Sequence, residues 1–476
     1  MVNEKDLRRR EKILNGNLVY AIISICAPIF LYNLFNSFYS VIDAVVVARI
    51  DPTSVSAVAA LSQIQHLLSS LGSGVAAGGG IIVARLFGAG DMDKARYHSN
   101  QIISLSTVIV ALLLAVCMPL AVPIMRISGV SEELIAIGTS YFIVQIITLA
   151  FMFYNSVFIA MQKAKGNTKA SFWLNILAMI IKLSLSVLFI WGMNKSDIMW
   201  VAVATLIGQA VMFVLLMLMM MKPDDVLVIR FDEFKLNARV CKSIAAMSFP
   251  IFLGKFIFSF GKVSVNSMCK GYGPLVVGAL GVSNNVNGLV TNPLNSFEEG
   301  SSTIISQNLG AGNEKRALKT FNYSFLMACG LGVIGYILIR FILQDSIIGL
   351  YNQNKLAENA EEFIALIKSI HRFDSLSILA LAINSAVLGV LYGYGKTKMT
   401  MILNISRVFV FRIPILWYLQ TFHKEIGAEA TGLSMGISNI CIAIASLLCL
   451  FIFLWRLKSK KQNITITTDD DNHVVT

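Results

Sequence analysis

The chain has 476 residues, of which 56% are hydrophobic and only 14% charged, with a mean hydropathy of +0.71. That is too apolar for an ordinary soluble domain of this length, so the composition places the chain in a bilayer. The formal charge of +12 does not point to nucleic acid, because the Lys and Arg residues fall in short loops between apolar runs.

Of the seven cysteines, Cys26, Cys117, Cys329, Cys441 and Cys449 lie inside apolar runs, with no paired spacing and no nearby His. Neither a disulfide nor a metal site is implied, and no motif asks for a cofactor. Met1 to Lys12 is polar and charged, and the apolar run after it is too long and lacks a small-residue cleavage site, so a removable signal peptide is not expected.

Apolar runs of roughly 20 residues or more, enough to cross about 30 Å of hydrocarbon as helix, recur along the whole chain. The hydrophobic pattern predicts spans near 18–48, 53–83, 99–125, 133–161, 170–192, 197–221, 241–269, 275–306, 320–343, 362–392, 399–420 and 427–455. Bases mark alternate connections: Arg8, Arg9, Arg10 and Lys12; Arg85, Lys94 and Arg96; Lys163, Lys165 and Lys169; Lys222 through Lys242; Lys315, Arg316 and Lys319; Lys396 and Lys398; Arg456 through Lys461. The positive-inside rule makes all of these, and both termini, cytoplasmic in a multi-pass protein of the cell membrane.

Pro223 to Arg239 is the longest polar stretch between spans and reads as a linker, which divides the chain into a lobe at 1–222, a cytoplasmic linker at 223–239 and a lobe at 240–456. Residues 457–476, with Asp469, Asp470 and Asp471, read as a disordered cytoplasmic tail. The sequon at Asn463 lies on the cytoplasmic side of this topology and reads as chance.

The two lobes repeat. A shift of 222 residues lays Pro28-Ile-Phe-Leu31 on Pro250-Ile-Phe-Leu253 and Gly88-Ala-Gly90 on Gly310-Ala-Gly312; a shift of 229 lays Gly166-Asn-Thr-Lys169 on Gly395-Lys-Thr-Lys398. Each half holds an even number of spans, so the halves enter the membrane in the same orientation. The fold class is therefore an all-α integral membrane protein of twelve transmembrane helices, in two pseudo-twofold-related six-helix bundles around a central cleft. The Gly-Ala-Gly loops follow no strand and read as turns: Gly88 and Gly310 end one helix, and Asp91 and Asn313 cap a short amphipathic one. Gly74 and Gly78 have the small-xxx-small spacing of close helix packing.

The Pro28 segment ending in Val41-Ile-Asp43, the stretch from Ala84 to Arg96, Gly166-Asn-Thr-Lys169 and Ser306-Gln-Asn-Leu-Gly-Ala-Gly-Asn313 resemble the multidrug and toxic compound extrusion (MATE) family over nearly the whole chain. The resemblance implies cation-coupled export of drugs or metabolites, a helix bend at Pro28 and a cation site in the N-terminal half. Asp43 matches the family's first-helix Asp, and Thr205 its polar position on the sixth helix. The fifth helix departs: Lys182 and Ser186 stand where an Asn and an Asp are expected. One carboxylate beside an ammonium is a poor sodium site, so H+ is favoured over Na+ as coupling ion.

Ionisable groups near mid-membrane cost about 2.5–3.5 kcal/mol each on insertion scales and ask for a partner or a wet cavity. Asp43 and Lys182 lie about 5 and 10 residues from the outer ends of their helices, roughly 7 Å apart in depth, within reach of a Lys side chain. Their repeat counterparts, Val265 and Phe411, are uncharged. A purely structural pair would read the same way. The functional reading has Lys182 occupying the coupling-cation position until protonation of Asp43 releases it.

The C-terminal half carries Lys255, Lys262, Glu298, Glu299, Arg407 and Arg412 within its spans, either as a mutual structural network or as a substrate cavity whose excess of bases suits an anionic or zwitterionic solute. His66, His371, Arg372 and Asp374 read as surface or hydrogen-bonded groups, not as a proton relay. The expected function is efflux of drugs or metabolites by alternating access, as a secondary active transporter and not an enzyme. A flippase for a lipid-linked oligosaccharide is the alternative, and an intramembrane enzyme a distant third, since no catalytic motif stands out. The expected partners are a small-molecule substrate and membrane lipid, with no nucleic acid, and the expected state is a monomer.

Overall fold

In the computed structural model, residues 4–48, 52–127, 132–193, 197–349 and 360–472 are described, and these are helical apart from short connections. Twelve long helical units follow a short leading helix α1 (Glu4–Leu14). The first lobe contains α2 (Leu18–Ala48), α3 (Pro52–Ala89), α4 (Met92–Cys117), short α5 (Ala121–Ile127), α6 (Glu132–Ala164), α7 (Thr168–Val187) with a π-helical turn at Leu188–Gly192, and α8 (Met199–Met220). The second contains α9 (Ala238–Cys269), α10 (Pro274–Gly310), α11 (Glu314–Ile337) with a π turn at Leu338–Leu343, short α12 (Gln344–Gly349), α13 (Ala360–Asp374), α14 (Ser377–Gly393), α15 (Thr397–Ser406), a π segment Arg407–Arg412, α16 (Ile413–Phe422) and α17 (Glu429–Asn472).

Ten of these helices are long and apolar enough to cross a bilayer, and α13 with α14, bent by 44° between them, makes an eleventh span. The twelfth is α10. It is too polar to pass on composition, because Asn284, Asn285, Asn287, Asn292, Asn295, Glu298 and Glu299 interrupt it, yet its 37 residues reach roughly 55 Å at about 1.5 Å per residue and pack against α2, α3, α11, α13 and α14. Asn287 is buried, while Asn284, Asn285, Asn292, Asn295 and Glu298 line an internal cavity, which is where polar intramembrane groups are tolerated.

The repeat is visible in packing as well as in sequence. A methyl group on Gly78 of α3 would sit 2.6 Å from Ser248 Cα of α9, and one on Gly300 of α10 would sit 2.4 Å from Cys26 Sγ of α2. Gly300 and Cys26 are the 222-shifted counterparts of Gly78 and Ser248. Gly88 and Gly310 likewise sit against each other's helices, with Cβ positions 2.1 Å from Gln307 O and 1.9 Å from Arg85 O. Only glycine permits such approach, so the two lobes meet backbone to backbone near their base-rich ends. Gly74 joins this seam against Phe252 of α9.

The turns that follow use left-handed glycines in register: Gly90 (φ 84°) and Gly312 (φ 77°), then Gly166 (φ 79°) and Gly395 (φ 73°). Asp91 caps α4 through Lys94 N–H at 3.1 Å and pairs with the Lys94 ammonium, which holds its carboxyl below the ordinary range. The short amphipathic helices expected after these turns do not form. Asp91 and Asn313 instead start the full-length spans α4 and α11, because the polar first turns run directly into apolar sequence.

At the base-rich face α1 lies across both lobes. Arg10 donates to the carbonyls of Phe87 (2.9 Å) and Gly88 (2.8 Å) at the end of α3, and Arg316 of α11 donates to those of Ile13 (3.1 Å) and Gly16 (2.6 Å) at the end of α1. The linker after α8 is anchored as well. Asn100 and Gln101, both fully buried in α4, bond to the linker backbone at Val228, Arg230, Glu233, Lys235 and Asn237, while Val226, Leu227 and Ile229 are buried in the first lobe. α17 runs on past residue 457 as far as Asn472, since adding residues to the end of a formed helix carries no nucleation cost.

Candidate functional site

Two cavities meet at Glu298 on α10. The first, of 290 Å³, lies between the lobes and is lined by Pro28, Tyr32 and Asn33 of α2, Lys163 of α6, Lys255 of α9, and Glu298 and Glu299 of α10. Its floor toward the base-rich face carries an ion pair across the lobe boundary, Lys163 Nζ with Glu299 Oε2. Below that pair, Arg85 donates to the Gly393 carbonyl at 3.0 Å and Gln307 to the Ala164 carbonyl at 2.6 Å. Arg85 and Gln307 are counterparts at the 222 shift, and Ala164 and Gly393 at the 229 shift, so this closure is reciprocal. The cleft is sealed on its base-rich side.

Pro28 borders this cavity from within α2, which runs as one helix through it. A proline cannot donate to the carbonyl four residues earlier. Here the freed carbonyl of Ser24 takes a bond from the Thr168 hydroxyl of α7 at 3.3 Å, which ties the proline to the fifth span.

The second cavity, of 370 Å³, lies mainly in the C-terminal lobe, walled by the Asn-rich face of α10 and by Phe258, Lys262, Asp374, Arg407 and Arg412, with Ser37 and Ser40 of α2 bordering it from the first lobe. The π segment explains the arginine geometry: its i→i+5 bonding brings residues five apart onto one side, and Arg407 and Arg412 both reach Asn439 Oδ1, at 2.8 and 3.0 Å. Arg412 also donates to the Ser438 hydroxyl at 3.1 Å and is only 2% exposed. Asn439 passes the chain on to Ser377 (2.8 Å), Ser377 to Asp374 (3.2 Å), and Ser283 closes on the other Asp374 oxygen at 2.9 Å. His371 is buried beside Ser283 at 3.4 Å. Phe258 is held between two cations, with Lys262 Nζ and Arg407 Cζ each 4.9 Å from its ring centre. A third space, of 420 Å³, joins His66 on α3 to Lys255 and Lys262 on α9.

In the N-terminal lobe, Lys182 Nζ stands 4.9 Å from the Tyr39 ring centre. The Asp43 side chain lies outside the described residues; helical spacing puts position 43 one turn beyond Tyr39 on the same face. Ser186 is fully buried with its hydroxyl unpartnered, and the Thr205 hydroxyl donates to the Val201 carbonyl at 3.0 Å within its own helix. Gly208 of α8 brings that helix to Lys182, its Cβ position being 3.5 Å from Lys182 Cβ.

The six charged groups of the C-terminal half thus do not form one mutual network. Glu299 turns to Lys163 in the other lobe, Lys255 lines the interlobe cleft, and the arginines bind neutral side chains. A family model for MatE matches residues 28–188 and 250–418, once in each lobe and over more than half of the chain. The chain belongs to the MatE family. It is accordingly a transporter and not an enzyme.

Two curated relatives extend the match over nearly the full length. The probable multidrug resistance protein YoeA of Bacillus subtilis is 21% identical over 90% of this chain and 93% of its own. The multidrug export protein MepA of Staphylococcus aureus is 20% identical over 92% and 94%. A solved structure of a multidrug resistance MATE transporter of the MOP superfamily, in an outward-facing conformation, superposes with a TM-score of 0.88 at 18% identity, covering 96% of this chain and 99% of that one. At that identity the likeness is one of fold.

Two parts of this MatE site escape sequence reading. Lys163 stood among loop bases, with nothing to show that its helix ends under the cleft. Asp374, read as a surface or hydrogen-bonded group, is hydrogen-bonded and 3% exposed, and its link to the arginines through Ser377 and Asn439 runs through a bend and a neighbouring helix that the sequence does not announce.

Proposed function

We propose that this protein exports small organic molecules from the cell by alternating access, driven by proton antiport, with the base-rich face and both termini in the cytoplasm. The observation that carries this reading is the reciprocal seal across the lobe boundary beneath a charged cleft. Contacts that are symmetric and confined to one end are the kind two lobes can exchange for a matching set at the other end. The lobes, 1–222 and 240–456, move as bodies about the linker 223–239, which travels with the first lobe through Asn100 and Gln101. The names of YoeA and MepA support drugs or other xenobiotics as cargo.

The coupling site is assigned to Asp43, Lys182, Ser186 and Thr205. Lys182 occupies the place beside Asp43 that a coupling cation would take, and an incoming proton on Asp43 releases the ammonium so that α2 and α7 part, with Pro28 as the bending point of α2. A built-in ammonium makes a sodium ion unnecessary there. The protein works as a monomer in lipid.

Purified protein in liposomes, loaded with dye and given first a proton gradient and then a sodium gradient, tests the proposal. Dye movement that follows the proton gradient alone is expected. Movement under sodium alone overturns the coupling assignment, and no dye movement with lipid-linked oligosaccharide flipping overturns the cargo.

A further inference from the structure

We propose that the cavity of the C-terminal lobe recognises an organic anion, a carboxylate or sulfonate on an apolar body, through Lys262 and Arg407. The proposal deepens the export reading above and rests on it. Three cations, Lys262, Arg407 and Arg412, line this cavity against two carboxylates, Glu298 and Asp374. Both Asp374 oxygens accept from serine hydroxyls, and among the described residues no carboxylate lies within ion-pair distance of any of the three cations. The polar partners of the two arginines are the neutral Asn439 and Ser438, and Phe258 supplies the face between Lys262 and Arg407.

A structural role would leave such cations paired, because an intramembrane charge is otherwise costly. The internal repeat removes the remaining structural argument. At the two repeat shifts, Lys262, Glu298, Arg407 and Arg412 fall on Ser40, Ala76, Ala178 and Leu183, so the same helical plan stands in the first lobe with none of these charges.

The division of labour follows from burial. Arg412, 2% exposed, fixes the Asn439 amide and is a positioning residue. Lys262 is exposed to the cavity and Arg407 half-buried at its edge, so their donors are the ones a ligand meets. A guanidinium offers a carboxylate or sulfonate two parallel donors, the ammonium adds a point charge, and Phe258 between them gives the apolar body a surface. The volume of 370 Å³ suits a small molecule, and the asparagines of α10 supply neutral donors and acceptors around it. An anion leaving a cell also moves with an inside-negative potential, which favours its export.

A matched pair of probes tests this: pyrenebutyrate, an anion, and a pyrenyl trimethylammonium, a cation on the same ring. Binding to the purified full chain is read by fluorescence anisotropy, and movement is read from liposomes. Pyrenebutyrate is expected to bind at least ten-fold more tightly than its cationic twin. Lys262→Gln and Arg407→Gln should each weaken that binding ten-fold or more, with Arg407→Lys losing less, while the melting temperature of Lys262→Gln stays that of the wild type. Equal or tighter binding of the cation, or anion binding indifferent to both Gln variants, overturns the proposal. Anion binding without movement under any gradient upholds the site and overturns export. Movement of the cation with no binding of the anion does the reverse.

Discussion

Gln307 of the second lobe donates a hydrogen bond at 2.6 Å to the backbone carbonyl of Ala164 in the first, one half of a reciprocal pair whose other half is Arg85 to Gly393. The glycines next to these donors allow the approach, since a Cβ at Gly310 would lie 1.9 Å from Arg85 O. Backbone cannot yield to such a clash as a side chain can. Gly310→Ala should therefore part the lobes at their base-rich ends, lower transport at least ten-fold and raise the labelling, from that side, of a cysteine introduced at Ser302 in the cleft. An unchanged labelling rate would mean that this contact does not close the cleft.

Among the described residues, Lys163 with Glu299 is the one ion pair between the lobes, and its repeat counterparts, Tyr392 and Ala77, cannot form another. If the two lobes separate during transport, the pair must open and close in every cycle. Lys163→Gln or Glu299→Gln alone leaves one charge facing the cleft unmatched and should cut transport by ten-fold or more. The exchange Lys163→Glu with Glu299→Lys should recover a good part of it in the same liposome flux measurement. Failure of the exchange together with normal activity of both single variants would show that the pair takes no part.

Asp43→Asn mimics a permanently protonated carboxyl. With Lys182 as its partner, that variant should fold and bind substrate yet lose proton-driven export, and export should no longer respond to the proton gradient. Lys182→Met should lose coupling too, but by leaving Asp43 titratable without its cationic partner, so the two variants should differ in the external pH at which residual exchange is fastest. Proton-linked export by Asp43→Asn at the wild-type rate would remove Asp43 from the mechanism.

The spans were legible because a bilayer imposes length and apolarity on each helix separately, and the lobes because Pro28 and Pro250, or Gly88 and Gly310, repeat in register. α10, crowded with asparagines, was still placed at 275–306 by its apolar pattern, and Pro52 and Pro274 begin corresponding helices at the 222 shift. Partner choice was not legible. Glu299 found Lys163 rather than the bases of its own lobe, and Arg412 found Asn439 rather than a carboxylate, because both outcomes depend on helix rotations and on a π segment that no periodicity announces. The anchoring of the linker by Asn100 and Gln101 was hidden for a simpler reason: two amides at the head of an apolar run look like interfacial residues.

The same holds for Lys165, a base that the loop pattern counted only toward topology. It is 1% exposed and pairs with Asp225 of the linker and, at 3.5 Å, with Asp6 of α1, which also bonds Arg9 at 2.5 Å. One ammonium thus fastens the leading helix and the interlobe linker to the end of α6. Lys165→Met removes the charge while keeping most of the side-chain volume, and it leaves two buried carboxylates facing each other, Asp6 at 2% and its linker partner Asp225 at 8% side-chain exposure. Breaking a buried pair from one side costs about 3–5 kcal/mol, and Arg9 offsets part of that for Asp6 alone. Lys165→Met should therefore lower the melting temperature of the purified protein by several degrees and speed proteolysis of the linker near Asp225. Adding Asp225→Asn to that variant should restore part of the loss, because it removes the charge left without a partner. An additive, further loss in the double variant would show that Lys165 and Asp225 act separately.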